Sequence, residues 1–264
     1  MSNIKKIGLL LHLAIMDKEL KMPKFFVTKQ QIENQVMITG EDAKHIKTVL
    51  RMKEGEKLTV CDGEGMDYIC SIRCIEKDGI FVDVLEKYFC EAEPSVKITL
   101  FQGLPKADKM EFIIQKCIEI GVDYIVPVAT EHSIVKLDKK EQKKLERWQK
   151  IAEAAAKQSG RGKIVKIGKV LSFQEALQEC QKLDSAIIPY EKEQQRTLKE
   201  FIKEVKGKTI GVLIGPEGGF STEEITQAIE YNVLPVTLGK RILRTETAGM
   251  VTTAILIYEL ENIT

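Results

Sequence analysis

The chain has 264 residues, of which 44% are hydrophobic and 30% charged, with only seven prolines. That composition excludes the disordered and fibrous classes, and the length exceeds a usual single domain, so two domains are expected. A formal net charge of +1 excludes nothing about nucleic acid, because phosphate binding needs a local patch and not a basic average.

Charge is unevenly distributed. Lys136 to Lys169 carries 12 Lys or Arg against 4 Asp or Glu, a net of +8, whereas Val170 to Pro235 carries 7 against 11, a net of −4. A surface facing a polyanion and a solvated helix face both fit this pattern. The six cysteines (Cys61, Cys70, Cys74, Cys90, Cys117, Cys180) form no C-x-x-C pair, which leaves no zinc spacing and no disulfide framework. Reduced core thiols in a cytoplasmic protein, with no metal, are the expectation.

At the amino end, residues 7–16 are an apolar run after two lysines, but Asp17-Lys18-Glu19-Leu20-Lys21 follows without a small-residue cleavage site, and ten residues are too few to span a bilayer. Residues 1–21 read as an extension preceding the domain proper at Met22. From Lys24 to Lys87 the pattern is strand-like: Phe25 to Val27, Gln35 to Ile38, Lys57 to Cys61, Tyr68 to Cys74 and Ile80 to Leu85. Turns fall at Asp62-Gly63-Glu64-Gly65 and Lys77-Asp78-Gly79, which predicts a small β-barrel. One helix interrupts it, with Ala43, Ile46, Val49 and Leu50 as its apolar stripe. Glu93-Pro94-Ser95 reads as a linker.

Beyond Val96 strand and helix alternate. A strand from Val96 to Gln102 leads to a helix whose Met110, Ile113, Ile114, Cys117 and Ile118 form one stripe ended by Gly121. Further strands are expected at Tyr124 to Ala129, Ser185 to Pro189, Ile210 to Ile214 and Leu234 to Leu238. The helices between and after them are Lys143 to Lys157, Phe173 to Cys180, Thr222 to Tyr231 and Glu246 to Glu261. This order predicts an α/β domain with a mostly parallel sheet covered on both faces.

Two segments carry chemistry. The apolar strand Ile210 to Ile214 runs into Gly215-Pro216-Glu217-Gly218-Gly219, and Ser221 with Glu224 forms a capping box for the next helix. Glycines at the carboxyl end of a parallel strand let backbone groups approach a ligand closely, where open α/β sheets bind ligands. Neither G-x-G-x-x-G nor a Gly-Lys-Ser/Thr is present, so dinucleotide and phosphate-loop readings lose ground; a tight turn without a ligand stays open. The second segment, Leu238-Gly239-Lys240-Arg241-Ile242-Leu243-Arg244-Thr245-Glu246-Thr247-Ala248, has neither helical nor strand period. It suits a loop supplying an apolar wall and polar groups, or a helix start capped by Thr245 with Glu246 at its positive end.

Ile214 to Ser221 and Leu238 to Ala248 resemble the two cofactor-binding motifs of the RsmE family, the 16S rRNA uracil-N3 methyltransferases. The likeness continues through Met22 to Phe26, His45 to Arg51, Lys109 to Gly121 and Trp148 to Arg161, covering nearly all of residues 22–264. The resemblance implies a PUA-like barrel over 22–92 and a SPOUT domain with a trefoil knot over 93–264, working as a homodimer without membrane or metal. It further implies S-adenosyl-L-methionine as cofactor, held by Ile214, Gly215, Pro216, Glu217, Gly218, Gly219, Leu238, Gly239, Ile242, Leu243, Arg244, Thr247 and Ala248. The implied substrate is a uridine of 16S rRNA in the small ribosomal subunit, uridine 1498 in the family's rRNA numbering.

N3 methylation needs loss of the N3 proton and stabilisation of the base anion. Arg244 is the candidate stabiliser, and Glu246 or Glu217 the candidate proton acceptor or merely a carboxylate orienting Arg244. Lys24, His45, Arg51, Lys106, Lys109 and Arg161 are the candidate RNA contacts. His132 stands where the family more often has arginine, which puts a transferred role there in doubt. The competing reading is a non-catalytic RNA-binding assembly factor of the same fold; a nucleotide-cofactor oxidoreductase lacks its fingerprint.

Overall fold

In the computed structural model, residues 22–32, 35–133 and 141–261 are described, and the apolar run at 7–16 lies outside them. The chain separates into two compact units, divided between Cys90 and Glu91.

The first unit is a five-stranded sheet of β1 (Lys24–Phe26), β2 (Gln35–Ile38), β3 (Lys57–Cys61), β4 (Met66–Ile75) and β5 (Ile80–Phe89), in the order β1-β3-β4-β5-β2. Alternate residues point inward, so Leu58, Val60, Cys70, Ile72, Ile80 and Val82 build its core. Irregular register at Ile69/Cys70 and Ile72/Cys74 lets the long β4–β5 pair bend. The helix α1 (Gly40–Lys44) passes directly into a π-helical turn, His45–Leu50, closed by Arg51 at φ 53°. This overturns part of the expected stripe. Ala43 and Ile46 are buried, but Val49 is 64% exposed, because i→i+5 spacing rotates the later residues off the core-facing side.

The second unit contains β6 (Lys97–Gly103), α2 (Lys109–Ile120), β7 (Tyr124–Ala129), α3 (Glu141–Gln158), β8 (Lys166–Ile167), β9 (Leu171–Ser172) and α4 (Phe173–Cys180). It continues through β10 (Ser185–Pro189), α5 (Leu198–Glu204), β11 (Thr209–Ile214), α6 (Thr222–Glu230), β12 (Val233–Val236) and α7 (Thr245–Glu261). All strands are parallel, in the order β12-β10-β11-β6-β7-β8, with β9 also on β7. One face packs Ile98, Leu100, Val212 and Ile214 against α2, α3, α5 and α7. The other packs Phe101, Val126 and Leu213 against α4 and α6. Both faces are thus covered, which is why β11 reads as an unbroken apolar run.

Glu93 is not part of a free linker. Its carboxylate receives Arg161 Nη2 at 2.7 Å and the backbone N–H groups of Gly162 and Lys163 at 2.9 and 3.0 Å. Arg161 Nη1 donates onward to the carbonyls of Val122 and Ile118, at 2.6 and 3.2 Å. With 2% of its surface exposed, Arg161 is an internal clamp among α2, α3 and the start of the unit. Its expected contact with RNA phosphate is therefore corrected, since its donors are committed to internal acceptors.

Gly249 sits inside α7, where an added Cβ would meet only ordinary contacts, the nearest being Gln102 Oε1 at 3.5 Å. Gly249→Ala is expected to stabilise the protein by about 0.5–1 kcal/mol, by lowering the entropy of the unfolded chain and improving helix propensity. Calorimetry should show a melting temperature raised by roughly 2 °C.

Candidate cofactor pocket

Three loops leave the carboxyl ends of neighbouring strands and surround a cavity of about 290 Å³. The glycine loop after β11 supplies Pro216, Glu217, Gly218 and Gly219; the segment after β12 supplies Leu238 to Leu243. Pro189, Tyr190 and Glu191 come from the end of β10, and Ala248 from the first turn of α7. The lining mixes apolar side chains with exposed backbone, as a pocket for a purine-bearing ligand requires.

The glycines have steric reasons. A Cβ on Gly218 would lie 2.8 Å from His132 Cβ, and Gly219 holds φ +68°. On Gly103, at the end of β6, a Cβ would lie 2.7 Å from Pro216 Cδ and 2.8 Å from its nitrogen, so this strand end supports the loop by direct backbone contact. Downstream, Ser221 and Glu224 form the expected capping box, with Glu224 N to Ser221 Oγ at 3.2 Å and Ser221 N to Glu224 Oε2 at 3.0 Å. Glu224 also receives the N–H of Glu131 at 2.9 Å, which draws the Glu131-His132-Ser133 turn against the loop. His132 Nδ1 lies 3.3 Å from the Gly219 carbonyl.

Glu217 and Glu246 have different surroundings. Glu217 accepts the Lys106 N–H on both oxygens, at 3.2 and 3.3 Å, and Lys109 Nζ at 2.9 Å. Partial burial, the largest single influence, pushes its pKa up, but the bonds from Lys109 and Lys106 outweigh it and hold the carboxyl below its ordinary 4.5. Lys109 Nζ also approaches Glu246 Oε2 at 3.4 Å, yet that oxygen is buried without a hydrogen bond. A carboxyl whose pKa is depressed on folding contributes stability that is present above the unfolded value and lost as pH falls through the folded one. The advantage of the wild type over Glu217→Gln in urea midpoint is therefore expected to be complete above pH 4.5 and to shrink below it.

Of the residues expected to hold cofactor, Pro216, Glu217, Gly218, Gly219, Leu238, Gly239, Ile242, Leu243 and Ala248 line the cavity. Ile214, Gly215, Arg244 and Thr247 do not line it: Ile214 is 2% exposed in the core, and the Gly215 carbonyl is bound from behind by Thr245 Oγ1 at 2.6 Å. The same hydroxyl accepts from Gln102 Nε2 and, among the described residues, from no backbone N–H of its own helix, so Thr245 does not act as its cap. Arg244 is exposed at the loop's end, with no ion-pair partner among the described residues. Ile242 is 85% exposed. Sequence reasoning missed Pro189, Tyr190 and Glu191, because their part in the pocket depends on β10 lying between β11 and β12.

Among the expected RNA contacts, His45, Arg51 and Lys106 are exposed. Lys24 instead pairs with Asp67 at 2.7 Å, its side chain only 16% exposed, and Lys109 is bound to the two carboxylates. In each case the ammonium is paired with acids of the fold, Asp67 for Lys24 and Glu217 with Glu246 for Lys109. Among the described residues no group of metal ligands is present, and no helix is long and apolar enough to cross a membrane.

An RNA methyltransferase domain model matches residues 92–257 and an RNA methyltransferase PUA domain model residues 38–85. The ribosomal RNA small subunit methyltransferase E of Bacillus subtilis (strain 168) is 38% identical over 250 residues, 91% of this chain and 98% of that protein. The chain belongs to the ribosomal RNA small subunit methyltransferase E family. The family member of Aquifex aeolicus (strain VF5) is 31% identical, over 88% of this chain and 98% of its own. A crystal structure of the Neisseria gonorrhoeae family member bound to S-adenosyl methionine aligns with a TM-score of 0.77, at 31% identity over 89% of this chain and 96% of that one. The architecture is accordingly that of the SPOUT methyltransferases of this family, with a PUA-like unit before the parallel sheet.

Proposed function

We propose that this protein is an S-adenosylmethionine-dependent methyltransferase acting on N3 of a uridine in 16S rRNA, the family position 1498 within the small ribosomal subunit. The observation that carries the reading is the cavity between the glycine loop and the Leu238–Leu243 loop in a family member with a cofactor-bound relative. Its residues fit that cofactor: Leu238, Leu243 and Ala248 offer apolar surface to adenine, and the glycine loop offers backbone without Cβ interference. Ile214 and Gly215 support the pocket from behind, and Thr247 lies on the same first turn of α7 as Ala248.

When bound, the cofactor supplies an electrophilic methyl group on a sulfonium. The chain's task is to place the uracil N3 in line with that methyl, remove the N3 proton and hold the negative charge left on the ring. Glu246 is assigned the proton, because its Oε2 has only the 3.4 Å approach of Lys109 and no hydrogen bond, whereas Glu217 is held by the Lys106 N–H and by Lys109 at 2.9 Å. Arg244, two residues away and free of ion pairs among the described residues, stabilises the charge that develops on the uracil oxygens.

RNA is engaged through exposed His45 and Arg51 of the 22–92 domain and Lys106 beside the glycine loop. A homodimer is supported by the outward faces of α2 and α7 in the 93–264 domain, where Phe112, Ile255 and Tyr258 are 45, 38 and 70% exposed. The ribosome places the enzyme in the cytoplasm.

The test supplies the protein and S-adenosylmethionine to small subunits lacking the mark, followed by nucleoside mass analysis. N3-methyluridine is the expected product, and methylation of another base or of ribose would refute the target. Light scattering at a mass near 30 kDa, that of one 29.9 kDa chain, would refute the dimer.

A further inference from the structure

Behind the cavity, one side chain from β6 and one from α7 meet the glycine loop in a buried line. Gln102 is wholly buried at the carboxyl end of β6. Its amide nitrogen donates to the Gly103 carbonyl at 2.9 Å and to Thr245 Oγ1 at 2.9 Å. Thr245, 6% exposed at the start of α7, donates its hydroxyl to the Gly215 carbonyl at 2.6 Å. The direction of the line is fixed by its ends. Two carbonyls can only accept, so the Gln102 amide must present its NH2 to Gly103, and the single Thr245 proton must go to Gly215. Gln102 Oε1 is left buried without a hydrogen bond against Gly249, an arrangement that ordinary packing would not favour.

We infer that Gln102 and Thr245 are positioning residues that set the spacing of the two cofactor loops before ligand arrives. Gly215 immediately precedes Pro216, the first glycine-loop residue to line the cavity, and Thr245 is separated only by Arg244 from Leu243, where the loop lining the opposite side ends. Their bond, itself steadied by Gln102, ties one wall to the other from behind, while β6 buttresses Pro216 through Gly103. A pocket fixed in this way needs no ordering when ligand binds, so loss of the line appears as weaker binding and not only as a less stable fold.

The inference rests on the pocket taking S-adenosylmethionine, and the test separates the two. Calorimetry with S-adenosylhomocysteine is performed on the full chain at a temperature well below melting. Thr245→Val, which removes the central link, is expected to raise Kd about tenfold, and Gln102→Leu about threefold. Because Gln102 acts through Thr245, the double variant should match Thr245→Val alone. Thr245→Ser, which keeps the hydroxyl, should bind close to wild type. Amide exchange without ligand should quicken at Gly218 to Phe220 and Leu238 to Leu243 in Thr245→Val. Leu177→Ala, in the core on the opposite face of the sheet, provides a variant of lowered melting temperature with unchanged Kd. Unchanged Kd in both Thr245→Val and Gln102→Leu overturns the inference, as does a double variant whose loss is the product of the single losses. Should Thr245→Val fail to fold, Gln102→Leu and Thr245→Ser still decide it. Wild-type protein that binds no S-adenosylhomocysteine would instead defeat the cofactor assignment.

Discussion

Arg161→Ala is expected to destabilise the protein by about 3–5 kcal/mol, the range for removing one member of a buried ion pair. The loss is large because the side chain does two things at once. Its guanidinium neutralises Glu93, whose side chain is 19% exposed against 3% for the arginine, so truncation leaves a poorly hydrated carboxylate behind. It also satisfies the carbonyls of Ile118 and Val122, where α2 ends at Gly121 and the chain turns into β7. Lysine cannot substitute, since one ammonium lacks the fork that reaches Glu93 and the two carbonyls together. Urea denaturation is the direct measurement: Arg161→Lys should recover under half of the loss. Glu93→Gln should cost less than Arg161→Ala, because the backbone N–H groups of Gly162 and Lys163 still find an acceptor. Stability within about 1 kcal/mol of wild type for Arg161→Ala would mean that solvent replaces the clamp.

The same arginine shows where reading the sequence reaches its limit. Its place beside a glycine in a basic stretch is what a phosphate contact looks like, and nothing local reveals that Glu93, 68 residues earlier, will close on it. Lys24 and Lys109 likewise have ion-pair partners that the sequence does not reveal, since charge is visible in one dimension and its partner only in three. Periodic features were far more legible. The stripe Met110 to Ile118, the run Ile210 to Ile214 and the Ser221–Glu224 capping box all take the expected form, because local hydrogen bonding and burial of one face decide them. Helix α5 went unread although Thr197 and Glu200 carry the same capping signature. Its seven residues are too short for periodicity to register. The short β8 and β9 carry even less pattern, and they exist because β7 offers them an edge. The π-helical turn at His45–Leu50 keeps a helical rhythm in sequence while shifting which residues face inward. In the pocket, both loops were legible from glycines and broken period. The third wall, Tyr190 and Glu191, required knowledge of strand order.

Arg244→Ala is expected to lower the rate of methyl transfer by about 10²–10³-fold at saturating cofactor, the range for removing one donor aimed at developing charge. The guanidinium has no internal duty to lose. It is exposed and without an ion pair among the described residues, and it follows Leu243, the last of the loop residues lining the cavity. The helix it precedes is held by its backbone: the Arg244 carbonyl accepts Ala248 N–H at 2.8 Å, a bond that alanine retains. Stability and S-adenosylhomocysteine affinity should therefore stay near wild type, and the loss should fall on the chemical step measured in single turnover. Arg244→Lys should recover only part of it, because one ammonium cannot meet a delocalised anion with two parallel donors. Glu246→Gln separates the neighbouring role. It preserves shape but not basicity, so its transfer rate should recover as pH rises and the N3 proton is lost to solvent, while that of Arg244→Ala should not recover to the same extent. A variant at Arg244 that binds RNA poorly yet transfers methyl normally once saturated would move this arginine from the reacting base to the phosphate backbone, leaving the charge on uracil to the helix end at Thr245.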